Sequence, residues 1–265
     1  MDNIQINKSE IPNSKSALIT GGAGGIGSAI CRKFAESGYS VIITYNSNIE
    51  KAEELLMELN KIHNSTFITN HSIFHAPTTN PEKLQALKEF IEEKYGKLDV
   101  LVNNAGITTP VKHDDLEGLT DEWIDKILQT NVRGTFAMIR AMKDLMVNNT
   151  FYSPLIVNIS SVAAVSGIGS NVAYCASKAA VDSITRSLAR ALAPKIRVVS
   201  VSPGWVLGDY TQNIDPNYIQ TQIDKTPLGR LANADDVAST VLALATHVTF
   251  TTGSIISVDG GRLLL

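Results

Sequence analysis

The sequence predicts an α/β fold, a doubly wound parallel sheet with helices on both faces. Three observations carry that prediction. Short apolar runs alternate with amphipathic helical stretches along the chain, the pattern of a parallel sheet covered on both sides. The first of these runs ends in a glycine-rich turn that opens a helix, which is the setting in which a glycine pattern becomes informative. The loops Gly21–Gly27 and Asn103–Gly106 both follow apolar runs and so fall at the carboxyl edge of the sheet, where such folds take their ligands. At 265 residues the economical organisation is one domain over 15–265 behind a polar leader at 1–14.

Composition narrows the function classes. Net charge is −3 with no basic block, so nucleic acid is not an expected partner. The leader lacks the charged-then-apolar layout of a signal peptide, and no apolar run approaches the length of a membrane span. The expected compartment is the cytoplasm. Cys31 and Cys175 have no metal or redox spacing, and His63, His71 and His75, though close in sequence, have no ligand pattern. No metal site is expected.

In chain order, Ala17–Thr20 is the first strand and runs into Gly21-Gly22-Ala23-Gly24-Gly25-Ile26-Gly27. Glycines let a backbone approach a pyrophosphate, and the helix that follows offers free N–H groups and the positive end of its dipole. A Rossmann-type dinucleotide site is the expectation. Val41–Thr44 is the second strand, and the turn Tyr45-Asn46-Ser47-Asn48 after it holds no carboxylate. A carboxylate there would bind the ribose 2′-hydroxyl of NAD and repel a 2′-phosphate, so NADP(H) is favoured, with NAD(H) the alternative.

A helix over 50–62 and a polar stretch over 63–70 lead to a third strand at His71–Ala76. Pro81 opens the next helix where its missing N–H costs nothing. Leu98–Val102 is the fourth strand, and Ile107–Glu117 is a polar rim loop. Thr120 caps a long helix carrying Trp123, Ile127, Asn131, Phe136 and Ile139. Leu155–Ser160, Arg197–Val201 and Ile255–Val258 are the remaining strands, with Asp235–Ala245 the last helix. The stretch 208–226 is polar and irregular, and reads as a substrate lid.

The chemistry is expected between Ser161 and Lys178. Tyr174 and Lys178 are four apart on a helix predicted from Ala173 to Leu192, so phenol and ammonium share a face. A nearby ammonium favours the phenolate, which suits Tyr174 to general acid/base work. Ser161 adds a hydroxyl able to polarise a carbonyl oxygen.

From 15 onward the chain resembles the short-chain dehydrogenase/reductase family. The motifs are Thr20-Gly21-x-x-x-Gly25-x-Gly27, Asn103-Asn104-Ala105-Gly106, Asn131, Ser161, Tyr174-x-x-x-Lys178 and Pro203-Gly204. Within that family it is most similar to the 3-oxoacyl-acyl-carrier-protein reductase-like members, through the 103–107 block, Val157–Ser161 and Val258-Asp259-Gly260-Gly261. The resemblance implies carbonyl reduction, with a 3-oxoacyl thioester or similar ketone as substrate, the thioester on a carrier in one variant. Tyr174 would be the general acid, Lys178 the ribose-binding ammonium, Ser161 the hydroxyl on the reacting oxygen, and Asn131 the anchor of a water beside Lys178. It further implies cofactor binding by Thr20, Gly21, Gly25, Ile26 and Gly27; by Tyr45, Asn46 and Ser47; by Asn104, Ala105 and Gly106; and by Pro203, Gly204 and Val206, with Tyr174 and Lys178.

Three departures from the family pattern stand out, one of them extra chain around His63–Asn70 and around Asn148–Ser153. Pro77 occupies the position of an adenine-binding Asp, and Gly208 that of a hydroxyl residue near the nicotinamide. The alternatives are an NAD-linked dehydrogenase of a small alcohol, sugar or biosynthetic intermediate and a non-catalytic dinucleotide sensor. The apolar surplus on 123–146 and 173–193 leaves a stripe for a partner, and the resemblance implies a homotetramer or homodimer built on these helices.

Overall fold

A computed structural model describes residues 14–62, 68–147, 154–208, 211 and 214–264. Seven strands form one sheet: β1 (Ser16–Ile19), β2 (Ser40–Tyr45), β3 (Ser72–His75), β4 (Val100–Asn103), β5 (Leu155–Ile159), β6 (Arg197–Pro203) and β7 (Ile255–Val258). Their order is β3-β2-β1-β4-β5-β6-β7, and every pairing is parallel. The order reverses between β1 and β4, registered Ala17↔Val100 to Ile19↔Val102. The loops leaving these two strands flank the crevice where open α/β sheets bind ligands.

Each helix is a consequence of local sequence. Helix α1 (Gly25–Glu36) buries Ala29, Ile30, Phe34 and Ala35 at helical spacing. Helix α2 (Ile49–Leu59) is capped by Asn48, whose side chain accepts from Lys51 N, and α3 (Pro81–Tyr95) by Asn80, with Gly96 left-handed at its end. The long helix predicted from Thr120 is three pieces: α4 (Asp121–Leu128), a π turn over Gln129–Gly134, and α5 (Thr135–Val147). After β5 come α6 (Ala163–Ser166) and α7 (Val172–Leu192). Helices α8 (Pro216–Asp224) and α9 (Ala234–Thr246) complete the set.

Two apolar layers sandwich the sheet. One gathers Ile30, Phe34, Ile43, Val157, Val237 and Val241; the other gathers Leu18, Leu87, Leu101, Met138, Met142 and Ile156. Both faces of β1, β4 and β5 are therefore buried, the reason these strands read as continuous apolar runs. The stretch read as an irregular lid contains α8, with Pro216 in its first turn and the Asp215 side chain accepting from Asn217 N. The expectations for 1–13, for His63 and for 148–153 lie outside the described residues, as do parts of 208–226.

His71 makes folding pH-dependent. Its Nδ1 accepts the Val41 N–H at 3.1 Å, and it is 7% exposed. Burial, and then the Lys94 charge, push the imidazole down to about 4. An unfolded histidine titrates near ~6.5, so on acidification the unfolded chain takes the proton first. The contribution is complete above about pH 6.5 and is lost as pH falls through about 4, about 3 kcal/mol in all. Urea melts should show wild type losing more stability between about pH 7 and pH 4.5 than His71→Asn, whose amide keeps an acceptor without gaining a proton. Equal losses would refute this account.

Candidate active site

The crevice floor is assembled by side-chain-to-backbone hydrogen bonds between the loops after β1 and β4. Thr20, 1% exposed, accepts from Asn104 N and Ala105 N through Oγ1, both at 2.9 Å. Asn104 Nδ2 donates back to the carbonyls of Thr20 at 3.0 Å and Gly21 at 3.1 Å. Gly21 takes φ +60°, a conformation open to glycine at no steric cost, and a Cβ there would lie 3.2 Å from Ala105 Cα. At Gly27 a Cβ would lie 2.5 Å from Gly21 O and 2.8 Å from Asn104 Nδ2. Thr20, Gly21, Gly27, Asn104 and Ala105 thus form one close-packed unit.

The mouth of the cradle has the opposite character. Gly24 and Gly25 are exposed, and a Cβ on Gly25 would meet nothing within 4 Å. Gly24 caps α1 without any side-chain bond, so the first N–H groups of α1 are left without a side-chain cap. Open space in front of an uncapped helix N-terminus fits a pyrophosphate. Ile26 lies half-buried in the same turn and packs on the apolar layer.

Tyr45, at the end of β2, pairs with His75 at the end of β3. Their rings are 5.4 Å apart, and His75 Nε2 lies 2.9 Å from Asn46 O. This clamp holds Asn46 and Ser47, both exposed, at the edge of the cradle. Sequence reasoning assigned His75 no role in this turn; its register opposite Tyr45 requires the sheet order.

At the other side of the crevice the α7 residues meet the π turn. Lys178 Nζ is 5.7 Å from the Tyr174 ring centroid and donates to Ile159 O at 2.7 Å. Lys178 is 6% exposed, and burial brings its ammonium down to about 8, opposed by the Asp182 charge. Asn131 stands on the π turn, where its Oδ1 accepts from Ile107 N at 2.8 Å. Its Nδ2 donates to Ile107 O at 3.0 Å and Ser177 Oγ at 3.1 Å. A Cβ on Gly106 would lie 3.3 Å from Asn131 Oδ1 and 3.6 Å from Lys178 Nζ. Asn131, Gly106, Lys178 and Tyr174 therefore converge.

Ser161 follows β5, and its Oγ accepts from Ala163 N at 3.2 Å. Pro203 O accepts from Val162 N at 3.0 Å, which sets Pro203 and Gly204 beside the Ser161 segment. Val206, 6% exposed, bridges to Ala232 at the base of the lid. The Gly208 N–H donates to Thr211 Oγ1 at 3.1 Å and the Gly208 carbonyl accepts from it at 2.7 Å. Asn171 was also missed in the sequence: its Oδ1 caps α7 at Tyr174 N, 2.7 Å away, and its Nδ2 donates to Thr109 O, also at 2.7 Å. It ties the rim loop to the helix that presents Tyr174.

The family model described as enoyl-(acyl carrier protein) reductase matches residues 21–262. The 3-oxoacyl-[acyl-carrier-protein] reductase FabG of Staphylococcus aureus is 34% identical over 253 residues, 95% of this chain and 99% of that protein. Its counterpart in Thermotoga maritima is 33% identical over 254 residues, 94% and 98% of the two chains. Among solved structures, a 3-oxoacyl-[acyl-carrier protein] reductase from Brucella melitensis in complex with NAD superposes with a TM-score of 0.86 at 31% identity, covering 96% of this chain and 98% of that one. Similarity of sequence along nearly the whole length, together with the crevice geometry, places the chain in the short-chain dehydrogenase/reductase family, as an oxidoreductase homologous to the 3-oxoacyl-[acyl-carrier-protein] reductases.

Proposed function

We propose that the protein is an NADP(H)-preferring reductase that converts a carbonyl, a 3-oxoacyl thioester or similar ketone, to a secondary alcohol. The observation that carries the reading is the convergence of Lys178 Nζ, Asn131 and Gly106 beside the Tyr174 ring. A bound nicotinamide dinucleotide supplies the hydride. Tyr174 donates the proton to the carbonyl oxygen, and its phenolate is stabilised by the Lys178 ammonium. Ser161 Oγ holds the same oxygen. Asn131 orders Ile107 and Ser177 around Lys178, and Lys178, with Tyr174, would hold the nicotinamide ribose.

Thr20, Gly21, Gly25, Ile26 and Gly27 would cradle the pyrophosphate, and Asn104, Ala105 and Gly106 would line the crevice beside it. Pro203, Gly204 and Val206 line the nicotinamide end. Tyr45, Asn46 and Ser47 meet the 2′-position, where the absence of a carboxylate supports NADP(H). The NAD-linked dehydrogenase reading stays open through the NAD-bound Brucella melitensis relative. The stretch 208–226, with α8, covers the substrate, and the exposed Leu128 and Phe136 support self-association into a homodimer or homotetramer.

Purified protein should oxidise NADPH in the presence of an acetoacetyl thioester, and fluorescence titration should show tighter binding of NADPH than of NADH. Light scattering on that sample should give a multiple of 28.6 kDa. Absence of turnover across a broad ketone panel refutes the reductase, and tighter NADH binding refutes the cofactor preference. A crotonyl thioester run alongside separates carbonyl from enoyl reduction. Among the described residues no helix is long and apolar enough to cross a membrane, and no cluster of His, Cys, Asp and Glu could hold a metal ion.

A further inference from the structure

Proton transfer as proposed uses the first two turns of α7, and the next turn buries a charge with no assigned part in it. Asp182 follows Lys178 by four residues, the spacing that also separates Lys178 from Tyr174, so the three share one face of the helix. Asp182 is 3% exposed. A carboxylate taken out of water needs partners, and those here are a seam of uncharged polar groups between α7 and the sheet.

Ser160, at the end of β5, and Ser200, on β6, meet the carboxylate from the sheet and favour its charged form. Ser160 Oγ also lies 3.3 Å from Lys178 O, and Ser200 Oγ 2.7 Å from Thr185 Oγ1. Asn158 Nδ2 donates to that threonine oxygen at 2.8 Å. Asp182 Oδ1 nevertheless has no hydrogen-bond partner among the described residues. The charges acting on Asp182 belong to its own helix, Lys178 one turn before and Arg186 one turn after. The strands meet it with the neutral Ser160 and Ser200.

We infer that Asp182 is a positioning residue of the reaction, a buried counter-charge that keeps Lys178 an ammonium beside Tyr174. The inference rests on the roles proposed for Tyr174 and Lys178. Lys178 stands in need of such a partner. Its ammonium donates to a neutral carbonyl, Ile159 O, its surroundings disfavour the charged form, and Asp182 is the group that opposes that loss. Burial in turn raises the Asp182 carboxyl, while Ser160, Ser200, Arg186 and Lys178 lower it. The two groups support each other's ionisation through the helix face they share.

The test follows Lys178 directly. Full-length protein carrying lysine labelled with carbon-13 at Cε is titrated by NMR, the Lys178 resonance being assigned by its loss in Lys178→Gln. Asp182→Asn and Asp182→Ser are titrated in the same way, so that the outcome does not hang on one variant. The Lys178 midpoint is expected to fall by about one pH unit in both. The alkaline limb of the kcat/KM profile for NADPH-dependent ketone reduction should move down with it, while Asp182→Glu, which restores the charge, moves both back toward wild type.

An unmoved Lys178 midpoint overturns the inference even if both variants melt earlier, because a purely structural acid would cost stability alone. A midpoint that moves while the rate profile stays in place overturns the part in the reaction. Should wild type reduce no ketone, the proposed function fails while the NMR titration still decides whether Asp182 supports the ammonium.

Discussion

Tyr174→Phe is expected to lower kcat for ketone reduction by at least about 10²-fold, the low end of what a positioned general acid contributes. The ring stays, and with it the packing beside Lys178 Nζ at 5.7 Å; only the proton donor is removed. NADPH affinity, read by fluorescence titration, should stay within about a factor of three, because the loss falls on a group needed in the transition state and not for cofactor binding. Lys178→Met should lose both turnover and affinity, since it removes the ammonium proposed to hold the ribose as well. If Tyr174→Phe turned over like wild type, the proton would come from another group and the reading of the crevice would be wrong.

Gly27→Ala is expected to have the second large effect, on stability and cofactor binding together. The added Cβ would sit 2.5 Å from Gly21 O and 2.9 Å from Gly22 Cα, both backbone atoms that cannot swing aside. Overpacking of this kind costs about 1–3 kcal/mol, seen as a fall in Tm of several degrees, and it moves the cradle carbonyl that Asn104 Nδ2 holds at 3.1 Å. Gly25→Ala is the informative partner. Nothing lies within 4 Å of a Cβ there, so Tm should hold while NADPH binding weakens, because the methyl group enters the space in front of the helix N-terminus. Normal NADPH binding by both variants would mean that the dinucleotide does not enter through this turn.

Much of this was legible without coordinates, for reasons particular residues make clear. Leu18, Ile42, Leu101 and Ile156 are fully buried because helices cover both faces of the sheet, and strands so placed must be apolar throughout. Pro81 and Thr120 begin helices where the sequence puts them, since capping is decided within three residues of chain. Tyr174 and Lys178 share a helix face by spacing alone.

The break at Asn131 could not be read. Its residues suit an α-helix, and the π turn is settled by Ile107 and Ser177, which the Asn131 side chain binds across 24 and 46 positions of chain. The short helices α6 and α8 were likewise hidden in stretches that look like loop, the second of them inside the predicted lid. The ring contact of His75 could not be read, because its neighbour Tyr45 is 30 positions away in sequence and directly opposite only in the sheet.

Sequence by itself determined the parallel α/β sheet, the glycine turn at its first strand and the Tyr174–Lys178 pair, because periodicity, capping and i,i+4 spacing act over a few residues. Tertiary structure alone decided that Thr20 is bonded to the loop after β4, that His75 clamps the turn after β2, and that Lys178 is buried above Asp182. These depend on strand order and on exclusion of water, and the energy of a buried charge is set by everything that surrounds it, not by its neighbours along the chain.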